Sequence, residues 1–356
     1  MTRCGGCDAP YDIAIVGLGP AGATLARLLD GRFRVAAIDG QADGQGERRK
    51  PCGGLLAPDA QRTLSRFSLS LPKDILVDPQ IFAVRTVDLQ LNLMRTYQRF
   101  YMNMDRHRFD AWLKGLIPER VDVIGGQCVS VCAEGGGYTV TYARDGRHEQ
   151  LHARMVVGAD GANSKVRRAL FPERGMRKAL AIQAWYRDAS ARPLYGCYFD
   201  ARLTDSYMWS ISKDGMLLLG GAFPVNGGKR RFAQLVSTLE QRGMFLGQPV
   251  KTEACMVARP GLGERFLGRN GAFFIGEAAG LISPSSLEGI SYAMDSARVL
   301  AGALNSGKNA ALCYKRGMRG LRIKLLCKGI KSFFLTCRLT CRLILKSGMA
   351  SVTMNE

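Results

Sequence analysis

The chain has 356 residues, 47% of them apolar, with 11 cysteines and 50 Lys/Arg against 30 Asp/Glu, a formal charge of +20. That length predicts about two domains with a sizeable core, and the composition excludes a disordered, collagenous or small disulfide-stapled protein. No apolar run approaches the roughly 20 residues of a bilayer-spanning helix, and the stretch before Tyr11 leaves no room for an apolar signal region, so a cytoplasmic protein with mostly free thiols is expected.

From Tyr11 to Val16 an apolar, β-branched run meets Gly17-Leu18-Gly19-Pro20-Ala21-Gly22, and a helical pattern continues to Leu29. A second strand over 33–38 ends in Asp39. This is a strand-helix-strand unit with a G-x-G-x-x-G turn at its first junction and an acid 22 residues after Gly17. Gly17 permits the tight turn, Gly19 lets a pyrophosphate approach the backbone, and Gly22 lets the helix pack on the sheet. Pro20 and Ala21 belong to the helix N-terminus, whose free amides and dipole favour phosphate. Asp39 is placed to accept hydrogen bonds from a ribose. A tight turn with no ligand is the alternative.

Residues 61–104 read as mixed and less regular, and 105–116 as a helix. Short strands are predicted over 121–124, 127–132, 138–143 and 150–157, with glycine-rich turns between them. Alternation over 179–222 predicts an antiparallel sheet that includes 195–199, 207–211 and 216–219. A helix over 231–242, a strand over 272–275 and a helix from Ser286 to Leu304 complete the body. With no repeat and no low-complexity linker, the two domains are expected to interleave in sequence.

Three separated motifs identify the nucleotide. Gly158-Ala159-Asp160-Gly161-Ala162-Asn163-Ser164-Lys165-Val166-Arg167 matches the G-A-D-G-x-x-S-x-x-R pattern of flavoprotein monooxygenases and their relatives, and Gly276-Glu277-Ala278-Ala279 resembles their G-D-A-A element. With the first glycine turn, these resemble the FAD enzymes of the p-hydroxybenzoate hydroxylase fold. The resemblance implies an α/β fold in which a Rossmann-like FAD-binding domain (10–60, 105–178 and 265–308) interleaves with an antiparallel β-sheet substrate domain (61–104 and 179–264). It further implies FAD contacts from Asp160 and Gly161 near the pyrophosphate and from Gly276 and Glu277 near the ribityl chain, where Glu277 is one methylene longer than the usual Asp. Asp105 to Leu113 fits the family's R-x-x-F-D-x-x-L helix, which puts Arg106 near the flavin, and Val129 joins the cofactor-binding set.

Lys50-Pro51-Cys52-Gly53-Gly54 is similar to the K-P-C-G-G segment of geranylgeranyl reductases, implying that Cys52, Gly53 and Gly54 lie beside the flavin. Tyr207-Met208-Trp209-Ser210-Ile211-Ser212-Lys213 resembles their Y-x-W-x-F-P-K strand, with Ile211 and Ser212 in place of Phe and Pro. Within this superfamily the segments 50–61, 207–215 and 276–296 most resemble the CbrA proteins of enteric bacteria. Gly289 and Ile290 would face the pyrimidine edge of the isoalloxazine at a helix N-terminus. Tyr207 and Trp209 alternate on one strand face as a substrate wall or as core packing, and Cys52 is either a redox-active thiol or a small residue that permits close approach.

The expected activity is FAD-dependent reduction of a C=C bond in an isoprenoid or other apolar substrate, with NAD(P)H or another donor as reductant. A flavin monooxygenase and a membrane-associated flavin-binding protein without turnover are the alternatives. Cys4 and Cys7 have C-x-x-C spacing without a second pair, and His107, His148 and His152 form no metal-ligand set.

Residues 307–356 hold eleven Lys/Arg against one acid, half of the +20. On a helical wheel Lys324, Lys328, Lys331, Arg338, Arg342 and Lys346 fall in an arc of about 80°, opposite Ile323, Leu326, Ile330, Phe333 and Phe334. A basic amphipathic tail over 309–356 is expected, its apolar face either in an anionic membrane surface or on the body of the protein. No nucleic-acid module is legible.

Overall fold

A computed structural model describes residues 10–40, 50–188, 193–261, 263–336 and 351, with side chains described as far as 330 and at 351. Cys4, Cys7 and the tail beyond 336 lie outside these residues, apart from Ser351.

In chain order the elements begin with β1 (Tyr11–Val16), α1 (Pro20–Leu28), β2 (Val35–Asp39), β3 (Leu55–Leu56), α2 (Pro58–Arg66), β4 (Ile81–Asp88) and β5 (Leu93–Asn103). They continue with α3 (Arg106–Gly115), β6 (Val121–Gly125), β7 (Gln127–Glu134), β8 (Gly137–Arg144), β9 (Arg147–Gly158), α4 (Lys165–Leu170), β10 (Lys178–Arg187) and β11 (Leu194–Phe199). The remainder is β12 (Met208–Lys213), β13 (Met216–Phe223), α5 (Gly228–Glu240), β14 (Lys251–Ala258), β15 (Gly268–Arg269), β16 (Ala272–Phe274), α6 (Ile290–Asn305), α7 (Ala310–Gly317) and α8 (Arg319–Thr336).

Ile13 to Val16 are all buried, as a central parallel strand covered on both faces requires. β1 pairs in parallel with β2 and β9, β2 with β6, and β9 with β16, giving the order β15-β16-β9-β1-β2-β6 with β7 and β8 joined through β9. α1 and α6 pack together, and Leu25, Ala26, Ala297 and Leu300 share the core of this sheet.

The second sheet runs β14-β10-β13-β12-β11-β4-β5-β3. Its pairings are antiparallel except β11 with β4. Alternation along β10 sorts its side chains by face: Ile182, Ala184 and Tyr186 join Leu235 and Leu239 of α5 in one core, while Ala181 and Gln183 face a cavity. β4 and β5 replace the irregular stretch expected over 61–104. β5 exposes Met94 and Phe100 as well as Gln98 and Arg99, and a register shift against β4 interrupts its pairing, so it lacks a simple apolar alternation.

In the described part of the tail the apolar stripe does not pack on the body, one of the two placements expected for it. Lys324 and Lys328 turn onto the body and pair with Asp59 of α2 at 3.0 and 2.8 Å, while Ile323, Leu326 and Ile330 are 60%, 42% and 61% exposed. Burial alone would raise the Asp59 pKa, but the two ammonium groups outweigh it and hold the carboxyl well below its usual range. Both lysines also lie over the Tyr292 ring, at 5.6 and 5.5 Å. One body carboxylate and one aromatic face thus capture the basic stripe and leave the apolar stripe outward.

Arg167, 4% exposed, holds the chain ends around α4 together. Its guanidinium donates to the carbonyl oxygens of Arg174 at 2.8 Å, Ala278 at 3.0 Å and Glu264 at 2.5 Å. Arg167→Met strands these buried acceptors and is expected to lower unfolding free energy by about 3 kcal/mol or more, read as a denaturation midpoint. An unchanged midpoint would show that the tie is dispensable.

Candidate functional site

The β1–α1 turn admits no side chain where it needs none. A Cβ on Gly22 would lie 1.9 Å from the Gly17 carbonyl oxygen, and one on Gly17, whose φ is +95°, would lie 2.8 Å from that of Ala159. A Cβ on Gly19 would meet nothing within 4 Å, because Gly19 faces open space as the N-cap of α1. No side chain caps this helix and no acid occupies its first turn, so its amides and dipole are available to an anion.

That open space is one end of a cavity of about 810 Å³, within the size range of small-molecule and cofactor sites. The nucleotide end is lined by Gly17, Gly19, Pro20, Ala21, Asp39, Asp160 and Gly161. Asp39 forms an ion pair with Lys114 of α3. Asp160 Oδ2 accepts from the amides of Lys165 at 2.6 Å and Val166 at 3.2 Å, and its buried Oδ1 has no hydrogen-bond partner. Burial raises the Asp160 pKa. A cavity-lining carboxylate with one unfilled oxygen suits a hydroxyl donor, so the residues present fit the ribose and ribityl hydroxyls of FAD as well as its pyrophosphate.

The middle of the cavity is lined by Lys50, Cys52, Gly53, Gly54, Arg106 and Glu277. Glu277 pairs with Lys50 and accepts from the Ala258 amide at 2.8 Å, so both carboxylate oxygens have partners within the protein. Arg106 Nε donates to Asp110 Oδ1 at 2.9 Å. Burial opposes the Arg106 charge, but Asp110 and the Cys52 sulfur outweigh it and its pKa is raised. Gly54, at φ +64°, leaves no room for a Cβ, which would lie 2.3 Å from the Met104 carbonyl oxygen. Beneath this loop the buried Lys213 Nζ donates to Asn103 Oδ1 at 2.5 Å, Met104 O at 2.8 Å and Gly54 O at 3.4 Å, and burial pushes its pKa down to about 8.

The far end is apolar and aromatic. Alternate residues of neighbouring strands face it: Ala181 and Gln183, Tyr195 and Cys197, Tyr207, Trp209 and Ile211, and Val257. Tyr207 donates to the Ser286 carbonyl oxygen at 2.6 Å, and its ring lies 5.7 Å from that of Trp209. Trp209 packs on Gly220 of β13, where a Cβ would come within 2.7 Å of the indole. Burial raises the pKa values of Tyr195 and Tyr207, so both phenols stay neutral.

Gly289 and Ile290, at the N-terminus of α6, complete the lining. Of the residues picked from sequence, Gly22 and Gly276 lie behind the cavity, Gly22 against the Gly17 carbonyl and Gly276 against Ala21 and Ala293, and Val129 is 39% exposed on β7 and does not line it. Sequence reading missed Glu288, which lines the cavity beside Gly289. Its two oxygens accept from Ser291 N and Oγ, both at 2.8 Å, yet burial dominates and raises its pKa. The helix-start pattern Glu288-Gly289-Ile290-Ser291 carried that signal as an acid before an N-cap.

A family model described as FAD binding domain matches residues 127–237. Protein CbrA of Escherichia coli O9:H4 (strain HS) is 46% identical over 346 residues, covering 96% of this chain and 94% of the relative. The chain belongs to the CbrA family. Among solved structures, a geranylgeranyl bacteriochlorophyll reductase-like protein from Thermoplasma acidophilum superposes with a TM-score of 0.77 at 19% identity, over 92% of this chain and 88% of that one. PqsL of P. aeruginosa, solved in complex with 2-aminobenzoylacetate, gives a TM-score of 0.71 at 19% identity, over 95% and 99%. This CbrA-family chain therefore has the fold of FAD-dependent oxidoreductases and carries an FAD-binding domain.

The turn geometry separates two glycines in this CbrA relative. Gly19→Ala is expected to fold with an unchanged melting temperature and to retain less flavin after dialysis, because its methyl projects where phosphate would approach. Gly22→Ala is expected to lose both flavin and stability. Equal behaviour of the two variants, by absorbance and thermal melting, would contradict this reading.

Proposed function

We propose that this protein is an FAD-dependent reductase that saturates C=C bonds of an isoprenoid or similarly apolar substrate. The observation that carries the reading is one continuous cavity, with a glycine turn and an uncapped helix N-terminus at one end and an apolar, aromatic wall at the other. The likeness to a geranylgeranyl bacteriochlorophyll reductase-like protein supports the substrate class. FAD, when bound and reduced by NAD(P)H or another donor, would supply the hydride. Gly17 to Ala21 and Asp160 would hold its phosphates and hydroxyls, and Cys52 to Gly54 would allow close approach in mid-cavity.

The protein's own work is placement and proton supply. Tyr195, Tyr207, Trp209 and Ile211 exclude water and align an apolar chain along the sheet. The carboxyl of Glu288, which lines the cavity and is made easier to protonate by burial, would hold the proton that a saturated carbon requires. The aromatic wall also suits a planar ring, which favours an oxygenating enzyme as the second reading.

Anaerobic turnover with NAD(P)H and a polyprenyl alcohol, followed by mass spectrometry, tests the proposal. A product heavier by two hydrogens supports it, and a product formed only in air and heavier by one oxygen atom overturns it. Glu288→Gln is expected to keep flavin and slow reduction by roughly 100-fold. Because the acid form is the active one, wild-type rates should fall as pH rises through the raised Glu288 pKa, and the variant should lose that dependence.

A further inference from the structure

The outward stripe on α8 has a position and a charge pattern that together specify an occupant. Ile323, Leu326 and Ile330, at i, i+3 and i+7, are 60%, 42% and 61% exposed, and Leu312 of α7 is 45% exposed. α7 and α8 contain seven Lys/Arg and no acid. Lys324 and Lys328 are engaged by Asp59, whereas Lys315, Arg316, Arg319 and Arg322 remain exposed. Arg319 and Arg322 precede the stripe by one turn or less and border it.

α8 also borders the opening of the cavity. Lys328 and Asp59 line it where it reaches solvent, together with the exposed Arg99 of β5. The same α2 turn that holds α8 through Asp59 meets β5, where Gln61 Nε2 donates to the Phe100 carbonyl oxygen at 3.1 Å. Phe100 is 54% exposed and packs edge-on against Phe82, itself 56% exposed. Exposed apolar side chains thus occur on both elements that α2 contacts, α8 and β5, and Asp59, Arg99 and Lys328 of these three elements line a cavity whose far wall is apolar.

We propose that α8 and the adjoining Phe82/Phe100 edge dock on an anionic phospholipid bilayer, so that the cavity opens at the lipid surface. Apolar side chains would enter the acyl boundary while Arg319, Arg322 and their neighbours meet lipid phosphates. No helix among the described residues is long and apolar enough to cross a membrane, which fits a helix lying in the interface. Charge complementarity selects a bilayer over a second copy of the chain, since two such faces would bring like charges together. The proposal needs the cavity opening but not the reductase chemistry, so either can fail alone.

The test is co-sedimentation of the full-length flavoprotein with vesicles of phosphatidylcholine alone or mixed with phosphatidylglycerol. The wild type should bind the mixed vesicles more tightly, with binding weakened by salt. Ile323→Glu/Ile330→Glu, with unchanged flavin content and melting temperature, should weaken binding by more than about tenfold. Arg319→Glu/Arg322→Glu should remove the preference for anionic lipid. Wild-type failure to bind overturns the proposal, as does undiminished binding by both variants, which would assign docking to residues beyond 336. A dimer in solution that only the isoleucine variant disrupts would give the face to a second copy and overturn it equally.

Discussion

Gly22 has no room for a methyl group, and much of the molecule follows from that. Because its Cα lies against the Gly17 carbonyl, α1 starts hard against the end of β1 and points its uncapped N-terminus into open space. Because Gly17 in turn lies against Ala159, the end of β9 and the loop 159–161 close over the same space from the other side. The nucleotide end is therefore built from backbone at close approach, with side chains excluded where a pyrophosphate would lie.

The second sheet extends this space rather than enclosing one of its own. Its period-2 alternation sends one set of side chains under α5 and the other into the cavity, and the missing side chain at Gly220 leaves room for the Trp209 indole in the cavity wall. Two polar ties join the halves at the middle. Glu277 links the 50–54 loop to β14 through Lys50 and the Ala258 amide, and Lys213 secures the same loop from below through Gly54 and Met104.

Much of this was legible in the sequence because it is local. The β1–α1 turn, Asp39 at the end of β2 and the N-terminus of α6 are strand-turn-helix patterns that a few consecutive residues specify. The second sheet was legible where short apolar runs stand between turns, as along 195–199 and 216–219, and was missed along β4 and β5, where Phe82, Met94 and Phe100 are exposed beside Gln98 and Arg99 and a register shift interrupts the pairing. Arg167 stood inside a recognised motif, but its three carbonyl partners come from segments that sequence does not place together. The tail shows the limit most clearly. The helical wheel separated Lys324 and Lys328 from Ile323 and Ile330 correctly, yet which face turned inward depended on Asp59 and Tyr292, far away in sequence. Burial of Glu288 is likewise a tertiary fact, produced by its place at the cavity wall.

The central claim is that one cavity accommodates a flavin dinucleotide against an apolar wall. Native mass spectrometry of the purified wild-type chain, with absorbance of the released cofactor, tests it directly. The account predicts one FAD per chain, lost in Gly22→Ala. A wild-type chain that purifies folded, shows no flavin and takes up none on incubation with FAD would contradict it.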